Sequence, residues 1–308
     1  MQEWTERILA GDARALARAA TLVENRDPEG LALLRELFPR TGKAIISGIT
    51  GAPGAGKSTL ADQLAAAIRA EGATVAIIAV DPTSPFSGGA ILGDRVRMQR
   101  HHADAGVFIR SMASRGRLGG VAPATTDLAM LLDAAGFDHV LIETVGVGQD
   151  EVEVARLADV TAVVLVPGMG DDVQALKAGI LEIADLFVIN KADRPGVDSL
   201  EREIEAMQAL GGEANAVRPV VRTVASRGEG IAELLAVLRQ CHRQRHSNRR
   251  KTDLWVHRLQ EMLRERLLEH LPAEEIRQAA EEIADHRSDP YSTVETWLSR
   301  LTFAKQEN

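Results

Sequence analysis

The feature that most constrains the fold of this 308-residue chain is an alternation of short apolar runs with helical patterns from residue 44 onward. The apolar runs are rich in β-branched residues, and the segments between them have helical periodicity, which is typical of a parallel sheet wound with helices. Several runs are apolar at nearly every position, so helices should cover both faces of the sheet. We therefore expect an α/β fold with a doubly wound, mostly parallel sheet. The predicted strands span 44–50, 74–80, 107–111, 139–144, 160–166, 186–190 and 219–225.

A phosphate-binding motif lies between the first predicted strand and the helix predicted after it. The sequence GAPGAGKS at 51–58 fits the pattern G-x-x-x-x-G-K-[ST]. Its glycines let successive backbone N–H groups turn toward phosphates, and the helix N-terminus adds partial positive charge. Lys57 can reach the β- and γ-phosphates, and the Ser58 hydroxyl can ligate Mg²⁺. We predict a nucleoside triphosphate site that contains Gly51, Ala52, Pro53, Gly54, Ala55, Gly56, Lys57, Ser58 and Thr59.

Three acidic residues are candidates for the magnesium site. Asp81 ends the second predicted strand, Asp94 follows in the next loop, and Glu143 ends the fourth strand. Because Mg²⁺ prefers octahedral oxygen ligation, these carboxylates and Ser58 form the predicted metal region, although each acid could instead be a helix cap or a solvated charge. The sequence ETVG at 143–146 resembles the D-x-x-G element of GTPases, in which the amide of Gly146 would contact the γ-phosphate.

A second motif indicates which base the nucleotide carries. Asn190-Lys191-Ala-Asp193 follows the strand at 186–190 and fits N-K-x-D, the guanine-reading element of GTPases. Asp193 would accept hydrogen bonds from the ring N–H and the amino group of guanine, and a site that reads one edge can reject analogues by about 10⁴. The expected loop for guanine O6 follows one strand later, so we expect GTP. That loop is Ala225, Ser226 and Arg227.

Composition excludes several other classes. With 36 Lys and Arg against 44 Asp and Glu, the net charge of −8 has the wrong sign for general binding to nucleic acid or an anionic membrane. The longest uncharged apolar stretch, 160–170, is about half a membrane span. The lone Cys241 is compatible with a reducing compartment, so we expect the cytoplasm. Cys241, His242 and His246 could suggest a metal site, but the many basic residues around them favour a solvated or partner-facing helix.

Three regions are expected along the chain: an N-terminal helical extension at 1–40, a nucleotide-binding domain at 41–240 and a C-terminal helical region at 241–308. Asp12 is a plausible N-cap for a helix with an apolar stripe at Leu16, Ala19, Ala20 and Val23. Breaks at Pro272 and at 288–290 should divide the C-terminal region into helices. One of these carries an apolar face that a homodimer would cover, formed by Val256, Leu259, Leu263 and Leu267.

Taken together, the motifs resemble the MeaB/ArgK-like G-protein chaperones of adenosylcobalamin-dependent acyl-CoA mutases, the family of the human methylmalonic aciduria type A protein. The resemblance covers roughly residues 5 to 235 and rests on LAGDARALAR (9–18), GITGAPGAGKST (48–59), VDPTS (80–84), GGAILGDRVRM (88–98), ETVGVGQ (143–149) and PGMGD (167–171). It implies a P-loop GTPase fold of the SIMIBI type and a homodimer. It also implies slow GTP hydrolysis that the mutase accelerates, and that gates the delivery of adenosylcobalamin and the release of damaged cofactor.

The resemblance assigns Asp81, Asp94 and Glu143 to the magnesium region and makes 167–180 a further switch segment. Gln174 and Lys177 of that segment could reach the nucleotide when the mutase binds, although both could equally be solvated residues of a helix. Val147 stands where many small GTPases carry a water-orienting glutamine, so hydrolysis should be slow without the partner. Our hypothesis is that reordering of Asp94, Gln174 and Lys177 activates hydrolysis, with Arg95 or Arg97 as a further candidate.

Two other functions fit a P-loop. One is a kinase or ATPase of the arginine/ornithine transport type, against which the N-K-x-D element argues because it reads guanine. The other is a metal-inserting maturation GTPase, against which the single cysteine and the absence of a His-rich tract argue.

Overall fold

The computed structural model describes residues 2–81, 98–101, 103–113, 122–144, 154–168, 183–210, 217–244 and 248–303. The chain forms two compact units, Met1–His246 and Ser247–Asn308. The sheet and the predicted nucleotide motifs lie in the first unit, whereas the described part of the second is helical. The finer division at residues 40/41 and 240/241 stays a prediction.

The first unit is built on a seven-stranded sheet in the order β3-β2-β4-β1-β5-β6-β7, and every pairing in it is parallel. The predicted fold class is therefore confirmed, and each predicted strand is present with small shifts at its ends. The strands are β1 (Ile45–Gly51), β2 (Val75–Asp81), β3 (Val107–Ala113), β4 (His139–Glu143), β5 (Val160–Leu165), β6 (Leu186–Asn190) and β7 (Val220–Thr223).

Helices cover both faces of this sheet. Asp12 caps the second helix, because its Oδ1 accepts from the backbone amides of Arg14 and Ala15 at 2.9 and 3.0 Å. The apolar stripe predicted behind this cap is buried. Among the described residues of the first unit, the helices of eight residues or more are α1 (Gln2–Leu9), α2 (Ala13–Asn25), α3 (Pro28–Leu37), α4 (Lys57–Ala70), α5 (Ala122–Ala134), α6 (Val197–Leu210) and α7 (Ile231–Gln244).

Alternate side chains of the strands enter different clusters of the core. Ala76 and Ile78 of β2 pack with α1–α3 and α5, whereas Val75 and Ile77 pack with α4 and α7. A third cluster joins α6 to β5 and β6, around Phe187. The N-terminal helices therefore complete the core on one face of the sheet.

Aspartates hold the amino ends of the strands together. Asp138, Asp159 and Asp185 each directly precede a strand, and each carboxylate accepts a backbone N–H from a neighbouring segment. The hydrogen bond from Thr74 lowers the pKa of Asp138. The hydrogen bonds to the three aspartates together fix the register at the edge of the sheet opposite the phosphate-binding loop. They run from Thr74 N to Asp138 at 2.7 Å, from Ile46 N to Asp159 at 3.0 Å and from Thr161 N to Asp185 at 2.8 Å.

The second unit contains α8 (Asn248–Glu269), α9 (Ala273–Ala284) and α10 (Pro290–Phe303), with breaks where Pro272 and residues 288–290 predict them. Trp297 of α10 donates its indole N–H to Glu275 of α9 at 3.0 Å, and Arg300 pairs with the same carboxylate. In the described ranges of both units, no helix is long and apolar enough to cross a bilayer.

Candidate functional site

The phosphate-binding loop leaves the carboxyl end of β1, which lies between β4 and β5 in the sheet. Gly51 has a φ of +137°, and a Cβ there would lie 2.2 Å from the carbonyl oxygen of Val164. Gly56, the N-cap of α4, has a φ of +91°, and its Cβ would come within 2.5 Å of Asn190 Nδ2. Gly51 and Gly56 are thus both required by their backbone conformation and by close neighbours.

Two lysines contact the carbonyls of this loop. Lys57 is only 5% exposed, and its Nζ donates to the carbonyl oxygens of Gly51 at 2.6 Å and Ala52 at 2.9 Å. Lys191 donates to the carbonyl oxygen of Gly54 at 2.7 Å. Two ammonium groups are therefore held against the phosphate-binding loop, and positive charge at this position is what phosphate oxygens require.

The structure brings together two of the predicted magnesium ligands. Ser58 Oγ donates to Glu143 Oε1 at 2.5 Å, and Glu143 is buried at the end of β4. A hydroxyl and a carboxylate are hard oxygen donors of the kind that Mg²⁺ binds, so this pair fits the ion. Asp81 ends β2, which pairs with β4 in the sheet, so its backbone reaches the same edge.

Asn190 connects the phosphate-binding loop to the predicted guanine loop. Its Nδ2 donates to the carbonyl oxygen of Ala55 at 2.8 Å. Its Oδ1 accepts from the hydroxyl of Thr223 and from the amide of Ala225, both at 3.1 Å. With 2% exposure, Asn190 acts as a buried cross-link between two loops that are far apart in sequence.

Asp193 and Arg227 form an ion pair beside this cross-link. Arg227 Nη2 lies 3.3 Å from Asp193 Oδ2, and its Nε lies 3.0 Å from Glu229 Oε1. The Asp193 side chain is 45% exposed, so one part of the carboxylate is accessible while another faces a cation. The predicted guanine loop forms a single 3₁₀ turn, Ala225–Arg227.

A buried pair of threonines at the site was not predicted from the sequence. The Thr144 hydroxyl donates to Thr50 Oγ1 at 3.1 Å, and each residue is 1% exposed. Thr50 directly precedes the phosphate-binding loop and Thr144 directly follows Glu143. The available signal was positional: a hydroxyl residue stands next to a motif residue at the end of each of two apolar strands.

Some predicted residues lie outside the described part of the chain, namely Asp94, Gly146, Gln174 and Lys177.

The possible metal site at Cys241, His242 and His246 is described only in part, because His246 also lies outside the described residues. Burial raises the pKa of the Cys241 thiol, and His242 Nε2 lies 3.9 Å from Asp159 Oδ2. Among the residues that the structure describes, no three or more His, Cys, Asp or Glu side chains are placed to hold a metal ion together.

Comparisons with known proteins show which family the chain resembles. The family described as methylmalonyl Co-A mutase-associated GTPase MeaB matches residues 16–276. A putative GTPase of Pyrococcus abyssi is 54% identical over 242 residues, which cover 76% of this chain and 74% of that protein. The mouse protein named methylmalonic aciduria type A homolog, mitochondrial, is 35% identical over 289 residues, covering 85% of this chain and 69% of that protein. The crystal structure of a LAO/AO transport system kinase superposes with a TM-score of 0.70 at 29% identity and covers 98% of this chain and 97% of its own.

Proposed function

The chain belongs to the MeaB family of methylmalonyl-CoA mutase-associated GTPases, and on that premise we propose that it is a GTP-driven chaperone of a cobalamin-dependent acyl-CoA mutase. As a member of a GTPase family it hydrolyses GTP to GDP and phosphate. In our proposal this hydrolysis gates the loading of adenosylcobalamin into the mutase, its protection there, and the release of damaged cofactor. Adenosylcobalamin is then bound by the mutase and not by this chain.

The observation that carries the guanine assignment is the Asn190 cross-link. Its three hydrogen bonds join the phosphate-binding loop, β6 and the loop after β7 into one frame. This supports a site in which one nucleotide has its base beside Asp193 and its triphosphate at Lys57. We assign the contact with guanine O6 to the amide of Ser226, because the amides of Ala225 and Arg227 on either side bond within the protein.

The same frame supports a role for each group in hydrolysis. Lys57 would move from the loop carbonyls to the β- and γ-phosphate oxygens, where it stabilises negative charge that develops in the transition state. Ser58 and Glu143 would hold Mg²⁺, which supplies further charge neutralisation at these oxygens. Asp81 would complete this region, together with Asp94.

We further propose that the mutase accelerates hydrolysis by reordering Asp94, Gln174 and Lys177, and that the amide of Gly146 senses the γ-phosphate. Val147 cannot orient a water molecule, because its side chain has no hydrogen-bonding group.

Because Lys177 is one of the groups that the mutase reorders in this proposal, substitution of Lys177 by Ala should abolish the stimulation by the mutase and leave GTP affinity unchanged. Stimulation that persists in this variant would overturn the assignment of Lys177.

The protein is proposed to act as a cytoplasmic homodimer. The apolar face of α8 supports this, since Val256, Leu259 and Leu263 recur at helical spacing and are 49%, 61% and 62% exposed. The net charge of −8 supports the proposal that neither nucleic acid nor a membrane surface is a partner.

The proposed function is tested by measuring hydrolysis of GTP and ATP with and without a purified adenosylcobalamin-dependent acyl-CoA mutase. We expect slow hydrolysis of GTP alone, a rise when the mutase is added, and no comparable hydrolysis of ATP. A preference for ATP would overturn the guanine assignment. If none of the methylmalonyl-, isobutyryl-, ethylmalonyl- and hydroxyisobutyryl-CoA mutases changes the rate, the chaperone proposal fails.

A P-loop kinase is the second candidate, because the structurally similar protein is named a LAO/AO transport system kinase. A kinase would transfer the γ-phosphoryl group to an acceptor instead of water. Production of free phosphate equal to the GDP formed, without an added acceptor, would exclude it. A metal-inserting GTPase, the third candidate, would require metal binding, which equilibrium dialysis with Ni²⁺ would test.

A further inference from the structure

The last contacts between β1 and β4 are made near the carboxyl ends of the two strands. Ile49 pairs with Glu143 in the parallel register. One residue further, the amide of Thr144 donates to the carbonyl oxygen of Ile49 at 3.1 Å. The Thr144 hydroxyl then donates to Thr50 Oγ1, also at 3.1 Å. Thr50 directly precedes the phosphate-binding loop, and Thr144 is the second residue of ETVG.

This hydroxyl pair closes a ring of contacts around the predicted magnesium region. From Thr50 the chain runs through the phosphate-binding loop to Ser58, whose hydroxyl donates to Glu143 Oε1 at 2.5 Å. Glu143 is followed in the chain by Thr144, and the Thr144 hydroxyl donates a hydrogen bond to Thr50, which closes the ring. The separation between the Ser58 hydroxyl and the Glu143 carboxylate is therefore constrained on one side by the threonine pair.

The two threonines are buried, so the hydrogen bond between them is hard to replace. Thr50 and Thr144 are each 1% exposed, so water does not readily replace the hydroxyl bond if one partner is removed. Valine has nearly the same shape as threonine, so a Thr144→Val substitution removes the donor with little change in packing volume. Thr144→Ser keeps the donor and removes only a methyl group.

We propose that Thr144 is a positioning residue that sets the spacing of Ser58 and Glu143, and thereby the affinity for the Mg²⁺ that accompanies the nucleotide. This inference rests on the proposed guanine-nucleotide site. Thr144 acts through Glu143 and Thr50 and does not itself touch the ion. The affinity for GDP without Mg²⁺, which depends on the loop amides and Asp193, is unaffected by it.

The test is a titration of Mg²⁺ against the release rate of a fluorescent GDP analogue, with GDP affinity in excess EDTA measured in parallel. The variants are Thr144→Val and Thr144→Ser. Thr161→Val is the matched control, because Thr161 is a fully buried threonine in the neighbouring β5 and its hydroxyl makes no hydrogen bond among the described residues.

We expect Thr144→Val to raise the half-saturating Mg²⁺ concentration by about fivefold, the factor that corresponds to one hydrogen bond of about 1 kcal/mol. Thr144→Ser and Thr161→Val should stay within about twofold of the wild type, and GDP affinity in EDTA should be the same in all four proteins. In steady-state hydrolysis at limiting Mg²⁺, kcat should fall in Thr144→Val while KM for GTP stays constant.

An unchanged Mg²⁺ requirement in Thr144→Val would overturn the inference, and so would a Thr144→Ser variant as impaired as the valine variant. A wild-type protein that retains GDP equally well with and without Mg²⁺ would instead count against the proposed metal site. If Thr144→Val does not fold, as judged by its circular dichroism, Thr50→Val and Thr50→Ser test the same bond from the acceptor side.

Discussion

At the scale of single residues, the site is built from side chains that each hold two parts of the protein. Asn190 uses its amide nitrogen on the phosphate-binding loop and its amide oxygen on the loop after β7. Lys191 follows in sequence with a φ of +56° and reaches the carbonyl oxygen of Gly54. The sequence motif N-K-x-D predicts contacts with the base, and the structure adds that its first two residues also shape the site.

The Asp193→Asn substitution should change the base that the site prefers. A change to Asn replaces one carboxylate acceptor by an NH₂ donor, which repels the amino group of guanine and complements the carbonyl at C2 of xanthine. We expect affinity for GDP to fall at least about 100-fold and affinity for XDP to rise. Competition binding against a fluorescent GDP analogue measures both values. An unchanged preference for GDP would show that Asp193 does not read the base.

Arg227→Ala is the matched control for this substitution. It removes the surface ion pair with Asp193 but keeps the carboxylate, and a pair this exposed contributes at most about 1 kcal/mol. Its effect on GDP affinity should therefore be small, and its preference for guanine over xanthine should be that of the wild type.

At the scale of elements, aspartates at the amino edge of the sheet fix where the strands begin. Asp138, Asp159 and Asp185 all stand immediately before a strand. Asp133, near the end of α5, has the same role for β1: its carboxylate accepts from the amides of Gly42, Lys43 and Ala44, the latter two at 3.0 and 2.9 Å. It thereby joins α5 to the segment between the N-terminal helices and the sheet.

Asp133→Ala should destabilise the fold without altering the nucleotide site. Asp133 is 4% exposed, and its removal leaves the buried N–H of Ala44 without an acceptor, which costs about 1 to 3 kcal/mol. Urea unfolding measures this loss. Asp133→Asn, which keeps one oxygen acceptor, should lose less. Equal stability of Asp133→Ala and the wild type would contradict the role assigned to this carboxylate.

His139, the first residue of β4, makes the stability of the first unit depend on pH. Burial, followed by the nearby Arg239, lowers the pKa of His139 to about 4. Asp138 and Glu71 oppose this shift and His242 adds to it. Because the pKa is about 6.5 in the unfolded chain, the neutral ring stabilises the fold fully above pH 6.5, and this contribution is lost as the pH falls toward 4.

We expect the free energy of unfolding to fall by up to about 1.4 kcal/mol per pH unit between pH 6.5 and 4 through this residue. His139→Gln keeps an acceptor for Arg239 and does not titrate. The difference in stability between wild type and His139→Gln, measured in urea at several pH values, isolates the histidine from the carboxylates. A difference that does not change with pH would contradict the prediction.

At the scale of the whole molecule, the chain consists of one α/β unit and one helical unit. The described part of the helical unit exposes large apolar side chains along α8. A double substitution Leu259→Glu and Leu263→Glu should convert a dimer into a monomer, because it places charges on the face that the dimer would bury. Sedimentation velocity measures the change. Circular dichroism should stay unchanged, since both side chains are more than half exposed. A monomeric wild type would contradict the proposed homodimer.

The sequence alone determined the elements that are encoded locally. Strand positions follow from apolar runs of a few residues, the phosphate-binding loop from eight consecutive residues, and the cap at Asp12 from a single side chain next to an amphipathic stripe. Each depends on the conformational preferences of neighbouring residues, which a linear pattern records.

Only the tertiary structure decided which of these elements meet. Ser58 and Glu143 are 85 positions apart, Thr50 and Thr144 are 94 apart, and Asn190 and Ala55 are 135 apart. These pairs exist because β4 lies beside β1 on one side while β5 and β6 continue the sheet on the other. That order follows from packing helices on both faces of one sheet, a property of the whole chain that no local pattern of residues contains.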